Sequence, residues 1–226
     1  MAADLKNWTP KQRPERKTLE GRYVRLEPLD PAIHGNDLFE ASQASHSEER
    51  FRYLFENAAR DRASFDQWMN KAAEGEDPLF FAVVDRATGE TVGRQALMRI
   101  DPAHGVAEIG NIYWGPKLSR TPGATEALYL FANYIFELGY RRFEWKCNND
   151  NEPSKRAAGR FGFTHEGVFR QHMVQKGKNR DTGWFSMLDS EWPALKAAYD
   201  AWLDPSNFDA SGTQKRRLEE MRTSAT

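Results

Sequence analysis

Apolar residues change their spacing several times along the chain, and each spacing predicts a different kind of element. Residues 79–85 (LFFAVVD) are almost all apolar, which is typical of a strand buried on both faces. Shorter runs rich in β-branched and aromatic residues, bounded by glycine and proline, predict further strands. The predicted strands cover residues 21–27, 79–85, 91–100, 106–114 and 142–147, with a hairpin formed by 164–176 and 179–189.

Apolar residues three and four positions apart predict the helices that lie between these strands. One stripe contains Phe65, Trp68, Met69 and Ala72, and a longer stripe runs over residues 128–138. The predicted helices cover residues 33–44, 62–73, 123–138, 151–162 and a last stretch over 192–202.

The order of these elements predicts the fold class. Short turns join the strands between residues 79 and 114, which predicts an antiparallel meander. The strand–helix–strand order over 106–147 predicts a right-handed parallel crossover. We therefore expect an α+β (mixed α/β) fold, in which helices flank a central mixed, mostly antiparallel sheet. One domain is expected over residues 21–203, with a solvated polar arm at 1–20 and a solvated polar tail at 204–226.

Composition narrows the class of protein. The chain has 226 residues, a net charge of -1 and 29% charged residues, which is typical of a globular protein without a polyanion-binding surface. Nucleic acid is therefore not an expected partner, despite basic residues at 11–17. Cys147 is the single cysteine, so we expect no internal disulfide and a reducing, cytoplasmic location. No apolar run is long enough to cross a bilayer, and neither a membrane partner nor a metal is expected.

The most informative segment is the loop at residues 114–127, WGPKLSRTPGATEA. Gly115-Pro116 ends a strand, and Thr121 before Pro122 predicts a helix N-cap followed by proline in the first turn. Loop amides and a helix N-terminus then converge on one point, which favours binding of an anion. Arg120 adds a positive charge there.

Four motifs in a fixed order give the chain a family resemblance. They are GRYVRLEPL at 21–29, AEIG at 107–110, GATEA at 123–127, and NEPS at 151–154 followed by GFTHEG at 162–167. Together they resemble the GNAT superfamily of acetyl-CoA-dependent N-acetyltransferases, in its branch of ribosomal-protein N-terminal acetyltransferases. The resemblance implies a sheet with two splayed strands. It also implies acetyl-CoA as cofactor, and a primary amine of a small molecule or of a peptide N-terminus as acceptor.

The resemblance also implies which residues bind the cofactor. The loop wraps the pyrophosphate with its amides, the splayed strand meets the pantetheine, and the next helix begins beside the thioester. Pro122 occupies the place of the family's first glycine and lacks an N–H, so Arg120 is expected as a partial replacement. The residues implied are Ile112, Trp114, Leu118, Ser119, Arg120, Thr121, Gly123, Ala124, Thr125, Asn149, Asn151 and Ser154.

Three side chains are candidates for the chemistry of acetyl transfer. By resemblance, Ser154 donates a proton to the leaving thiolate; alternatively its hydroxyl only caps a helix. Glu108 is a candidate base, or a structural carboxylate paired with an arginine such as Arg94. His172 is a second candidate base, or a structural histidine. Desolvation or a water chain can also replace a dedicated base.

Other interpretations remain open from the sequence. The chain can be a non-catalytic module that binds or senses acyl-CoA. Cys147 is either a buried strand-end residue or an acyl-carrying nucleophile. Trp114, Trp145 and Trp184 either line an acceptor pocket or pack in the core. Relatives of this branch often pair, so a homodimer is also considered.

Overall fold

The computed structural model describes residues 5–44 and 46–223, and one eight-stranded sheet organises them. The strands are β1 (Leu19–Glu20), β2 (Val24–Pro28), β3 (Leu79–Asp85), β4 (Thr91–Asp101), β5 (Val106–Trp114), β6 (Arg142–Asn148), β7 (Thr164–Gln175) and β8 (Lys178–Leu188). The helices are α1 (Pro31–Ser42), α2 (Ser47–Phe51), α3 (Arg62–Glu74), α4 (Pro122–Glu137), α5 (Glu152–Phe161), α6 (Trp192–Leu203) and α7 (Leu218–Thr223).

The strand order is β1-β2-β3-β4-β5-β6-β8-β7. β5 and β6 pair in parallel, and every other neighbouring pair is antiparallel. Helix α4 makes the crossover between the two parallel strands. The predicted mixed, mostly antiparallel sheet flanked by helices is thus confirmed.

β3 is apolar from Leu79 to Val84 because it separates two cores. Phe81 packs edge-on against Phe131 of α4, in the larger core on one face of the sheet. On the opposite face, Phe80 belongs to a smaller core that includes Leu38 of α1 and Phe65 of α3. Alternate side chains of one strand therefore enter two different cores, which leaves no polar face.

A buried carboxylate joins the start of the sheet to α4. Glu126 is 3% exposed and accepts backbone hydrogen bonds from Arg22, Tyr23 and Val24 at 2.7, 2.6 and 2.8 Å. A Cβ on Gly21 would lie 2.5 Å from the Glu126 carboxyl group, so only glycine fits there. Two of the family-like motifs, GRYVRLEPL and GATEA, are therefore in contact through this carboxylate.

The ends of the chain differ from the solvated arm and tail that we expected. In the arm, the Trp8 indole donates to Ala103 O at 2.8 Å, and the Glu15 amide donates to the Tyr134 hydroxyl at 2.8 Å. In the tail, Leu218 and Met221 of α7 are buried. A few apolar anchors within polar stretches are enough to hold both segments against the body. Residues 1–4 and 224–226 of these segments lie outside the described residues.

Helix α2 was not predicted. It has five residues, and its N-cap, His46, makes no side-chain capping bond and has a φ of 64°. A helix so short, without a start signal, leaves no periodic pattern in the sequence. In the part of the chain described, no helix is long and apolar enough to span a bilayer.

The Glu126 contact predicts a specific loss of stability. Glu126→Gln removes the charge and leaves one oxygen to serve three amides, so the free energy of unfolding should fall by about 3 kcal/mol. Urea denaturation measures the change. Glu137→Gln, an exposed change on the same helix, is the matched control and should shift stability by less than about 0.5 kcal/mol. Equal stability of the two variants would contradict the assignment.

Candidate active site

The site begins where β5 and β6 part. Their pairing ends at Ile109 and Trp145, although β5 continues to Trp114. Beyond that point β5 follows β4, to which it stays paired as far as Gly93 and Trp114. Asn111, with a φ of 50°, lies at the register shift in this pairing. The result is a wedge in the sheet with one free strand edge.

A cavity of about 320 Å³ lies in this wedge and draws its lining from both faces of the sheet. Trp145 and Cys147 belong to the core beneath α4 and α5, and with Ser154 they form what we term the donor side. Lys146 lies between them in sequence and so faces the opposite way. With Glu108 and Arg180 it forms the acceptor side. The wedge thus connects the two faces of the sheet.

On the donor side, the Ser154 hydroxyl oxygen accepts a hydrogen bond. Trp145 Nε1 donates to Ser154 Oγ at 3.0 Å, which leaves the hydroxyl proton to another acceptor, such as the neighbouring Cys147 sulfur. The capping bond at the start of α5 comes instead from Asn151, whose Oδ1 accepts the Ser154 amide at 3.2 Å. The alternative in which the Ser154 hydroxyl caps the helix is therefore wrong.

Cys147 lies next to Ser154 and is 5% exposed. Burial raises the pKa of its thiol, and a hydrogen bond with Ser154 opposes this rise without cancelling it. A buried thiol with a raised pKa carries little thiolate at neutral pH. This environment favours the buried strand-end interpretation over an acyl-carrying nucleophile.

On the acceptor side, Glu108 is 2% exposed and lies between two cations. Arg99 Nη1 is 2.6 Å and Lys146 Nζ is 3.0 Å from its Oε2. Burial raises the pKa of Glu108, and the two cations oppose that effect. Glu108 therefore does pair with an arginine, but this is Arg99 and not the example Arg94, which pairs with Glu56. Glu108 is thus a buried carboxylate beside the cavity whose affinity for a proton is increased.

Lys146 extends this charge cluster away from the cavity. Its Nζ lies 2.6 Å from Glu144 Oε2 and 3.7 Å from the centre of the Trp184 ring. Arg142 then joins Glu144 to Glu166, and it lowers the pKa of Glu166 to about 2. Each of these charges has an opposite partner, which offsets the cost of its burial.

The remaining tryptophans and His172 have distinct positions. Trp145 lines the cavity, whereas Trp114 donates its indole N–H to the buried Gln95 at 3.0 Å and packs against the core. His172 is exposed on β7 and lines the cavity, with its Nδ1 2.9 Å from Thr182 Oγ1. Its role as a base stays a prediction.

In the loop before α4, more backbone amides donate to carbonyls of the loop itself than expected. Thr121 is the N-cap and Pro122 follows it, but the Thr121 hydroxyl donates to Leu118 O at 2.7 Å and makes no cap. The amides of Leu118 and Ser119 both donate to Gly115 O. Those of Thr121 and Ala124 are also engaged within the turn. Within residues 5–44 and 46–223, the amides of Arg120 and Gly123 have no backbone acceptor.

Several residues implied for the cofactor have other contacts. Thr125 is buried and accepts from Arg160 Nη1 at 3.0 Å. Gly123 packs so closely that a Cβ would lie 2.8 Å from Val24. Asn149 pairs through its amide with Asp181 O and does not line the cavity. Arg120 is exposed, with a φ of 67°. Of the twelve residues, Ile112, Asn151 and Ser154 line the cavity itself.

Sequence reasoning missed a segment that covers the wedge, which we term the strap (residues 47–56). Arg50 Nη1 donates to Trp114 O at 3.1 Å and to Ser119 Oγ at 3.2 Å, so it ties α2 to the loop. Its Nε is buried without a partner among the described residues. No sequence signal pointed to Arg50, because α2 itself left none.

The strap is also tied to the β7–β8 hairpin. Gln175 Nε2 donates to the carbonyls of Tyr53 and Leu54 at 3.2 and 3.0 Å. Lys176 Nζ donates to the carbonyls of Phe51 and Glu56 at 2.8 and 3.0 Å. The strap and the hairpin together enclose the acceptor side. In the described residues, no three His, Cys, Asp or Glu side chains come close enough to hold a metal ion.

The wedge and its neighbouring elements match a known family. Residues 24–164 match the family described as an acetyltransferase (GNAT) domain. The chain belongs to the GNAT acetyltransferase family. The predicted resemblance is thereby confirmed at the level of the family.

Individual relatives agree with this. A crystal structure of a GCN5-related N-acetyltransferase from Brucella melitensis is 63% identical, with a TM-score of 0.96 over 97% of this chain and all of that one. An uncharacterized N-acetyltransferase p20 from Bacillus licheniformis is 31% identical over 50% of this chain. A putative ribosomal N-acetyltransferase, YdaF, from Bacillus subtilis (strain 168) is 32% identical over 48%. These two matches span 63% and 59% of the curated relatives' own length.

The environment of Cys147 makes a direct prediction. Because burial raises the pKa of the thiol, iodoacetamide at pH 8 should alkylate folded protein more slowly than free cysteine, on the order of 10-fold or more. Mass spectrometry of the single cysteine gives the rate. Unfolding in urea is the control and should restore the rate of a free thiol. A folded protein that reacts as fast as free cysteine would mean that the thiol is activated.

Proposed function

We propose that this protein transfers the acetyl group of acetyl-CoA directly to a primary amine of a small molecule or of a peptide or protein N-terminus. One observation carries the proposal. The wedge between β5 and β6 holds a hydroxyl donor, Ser154, on one side and a buried carboxylate, Glu108, on the other. Acyl transfer to an amine needs a proton acceptor for the amine and a donor for the leaving sulfur.

Features of the chain support acetyl-CoA as the donor. The edge of β5 that faces away from β4 offers the backbone groups of Ile112 and the amide of Trp114 to a pantetheine arm, whereas Trp114 O already accepts from Arg50 and Ser119. The amides of Arg120 and Gly123, which have no backbone acceptor among the described residues, lie at the N-terminus of α4 and suit a pyrophosphate. Arg50 adds a cation whose Nε has no acceptor among the described residues. Acetyl-CoA supplies the activated acyl group, and these residues hold it.

The chemistry then assigns two roles. Glu108 accepts a proton from the amine, either directly or through water, because an alkylammonium ion is no nucleophile. The amine nitrogen bonds to the acyl carbon as the carbon–sulfur bond breaks, and the electron pair of that bond leaves on sulfur. The Ser154 hydroxyl donates a hydrogen bond to this sulfur, and the proton that the nitrogen loses on becoming an amide balances the proton that the thiolate takes up. The products are the N-acetylated amine and CoA.

Ser154→Ala tests the donor side. Loss of the hydroxyl should lower kcat by about 100-fold, while acetyl-CoA still binds, because the loop and the β5 edge are unchanged. A thiol-release assay over a panel of amines and N-terminal peptides measures kcat, and isothermal titration measures binding. Ser190→Ala, at an exposed serine, is the matched control. Tight binding of acetyl-CoA by the unaltered protein without thiol release from any acceptor would favour a sensing module instead.

Glu108→Gln tests the acceptor side through pH. A base must be ionised, so kcat/KM of the unaltered protein should rise with pH through the Glu108 pKa, which burial has raised. The variant should lose about 100-fold in kcat/KM and show no such rise. Glu137→Gln serves again as the control and should keep the profile. A variant that loses rate but keeps the pH dependence would leave Glu108 a purely structural partner of Lys146.

A further inference from the structure

Arg180 on β8 is a buried cation without a counter-charge. It is 6% exposed, and within the described residues its guanidinium makes one hydrogen bond, from Nη1 to Gln175 Oε1 at 3.0 Å. Its Nε is buried and has no partner there. No carboxylate in residues 5–44 and 46–223 forms an ion pair with it. A buried guanidinium is costly unless an anion compensates it.

The neighbouring buried cations show the contrast. Arg94 pairs with Glu56, and Lys146 pairs with Glu108 and Glu144. Arg180 alone among these three has a neutral amide where the others have carboxylates. Burial lowers its pKa, and Glu108 opposes that effect only through space. The described part of the chain therefore supplies a positive charge here but no anion to pair with it.

The Arg180 side chain lines the cavity of the wedge. Thr182, two residues further along β8, faces the same way. The Phe55 ring of the strap lies 5.1 Å from the Arg180 guanidinium carbon. Glu108, the proposed base, lines the same cavity. A ligand that reaches Glu108 with an amine therefore has Arg180 within its surroundings.

The side chains that line the cavity carry a net positive charge, as Arg180 does. Four cationic side chains and two carboxylates line the cavity: Arg50, Arg99, Lys146, Arg180, Glu49 and Glu108. Of the two carboxylates, Glu108 is already shared between Arg99 and Lys146. A purely cationic acceptor meets a net positive lining, whereas an acceptor that also carries an anion is attracted to it.

We propose that Arg180 binds a carboxylate of the acceptor, so that the substrate is an amine with a carboxylate close to the amino group. A free amino acid fits this description, as does a peptide whose first residue has an acidic side chain. The fork of the guanidinium matches a carboxylate and fixes its orientation, which brings the amine towards Glu108. This substrate class rests on the proposed function.

Matched acceptor pairs test the proposal. Each amino acid is compared with its carboxamide, and peptides beginning with Asp or Glu are compared with peptides beginning with Asn or Gln. The unaltered protein should prefer the acid member in one set by about 10- to 100-fold in kcat/KM, mainly through KM. The set that shows the preference tells a free amino acid from a peptide. Arg180→Gln should reduce the ratio to about one, and Arg170→Gln, at an exposed arginine on β7, should keep it.

Other outcomes would overturn the proposal. Equal rates for acid and neutral acceptors would do so, as would a preference that survives Arg180→Gln. A preference for succinyl-CoA over acetyl-CoA with a neutral amine, lost in Arg180→Gln, would place the carboxylate on the acyl donor instead. Absence of thiol release from every acceptor would contradict the proposed function alone. In that case, calorimetric titration of the same pairs into CoA-bound protein tests whether Arg180 binds a carboxylate. The acid member should bind and the neutral one should not.

Discussion

The parting of β5 from β6 is the constraint on which the site depends. β5 follows β4 up to Trp114, whereas β6 follows β8 up to Asn148, and the two strands are no longer paired beyond Ile109 and Trp145. The Trp114 indole is fixed on Gln95, whose amide nitrogen donates to Ala127 O of α4 at 2.8 Å. The crossover helix therefore helps to hold β5 in the open arrangement. Backbone groups along the open edge require partners, and a ligand that lies along the strand can supply them.

Burial controls the chemistry on both sides of this opening. On the donor side, it keeps the Cys147 thiol protonated and leaves Ser154 as the hydroxyl donor. On the acceptor side, it raises the pKa of Glu108 against the opposing effect of Lys146 and Arg99. A carboxylate left in water would bind a proton too weakly to serve as a base at neutral pH. In the same surroundings of low polarity, the Arg180 guanidinium has no counter-charge among the described residues, and we infer that a ligand supplies one.

The sequence predicted the sheet well because its strands and helices carry strong periodic patterns. β3 and β5 have the predicted bounds, and α4 begins at Pro122, directly after the predicted N-cap Thr121. The strap was missed because a five-residue helix has no period to detect, and Arg50 was missed with it. Arg180 was missed for a different reason. A single arginine on a strand shows nothing in sequence of its burial or its lack of a counter-charge.

The loop shows the limit of motif reasoning most clearly. Spacing placed Thr121 and Pro122 correctly at the start of α4, but it could not show that the amides of Leu118 and Ser119 turn towards Gly115. Nor could it show that Glu126 binds the amides of residues 22–24 at the start of β2, because that contact joins residues about one hundred positions apart. Such contacts depend on the tertiary fold, and the local pattern does not contain them.

The way the strap is attached to the hairpin affects which substitutions its sequence can accept during evolution. Gln175 and Lys176 bind carbonyl oxygens of the strap, and every residue type has that group. Side chains at residues 51–56 can therefore be exchanged without loss of these bonds. Substitutions in this short segment can thus alter the lining of the cavity, while the wedge between β5 and β6 stays as it is.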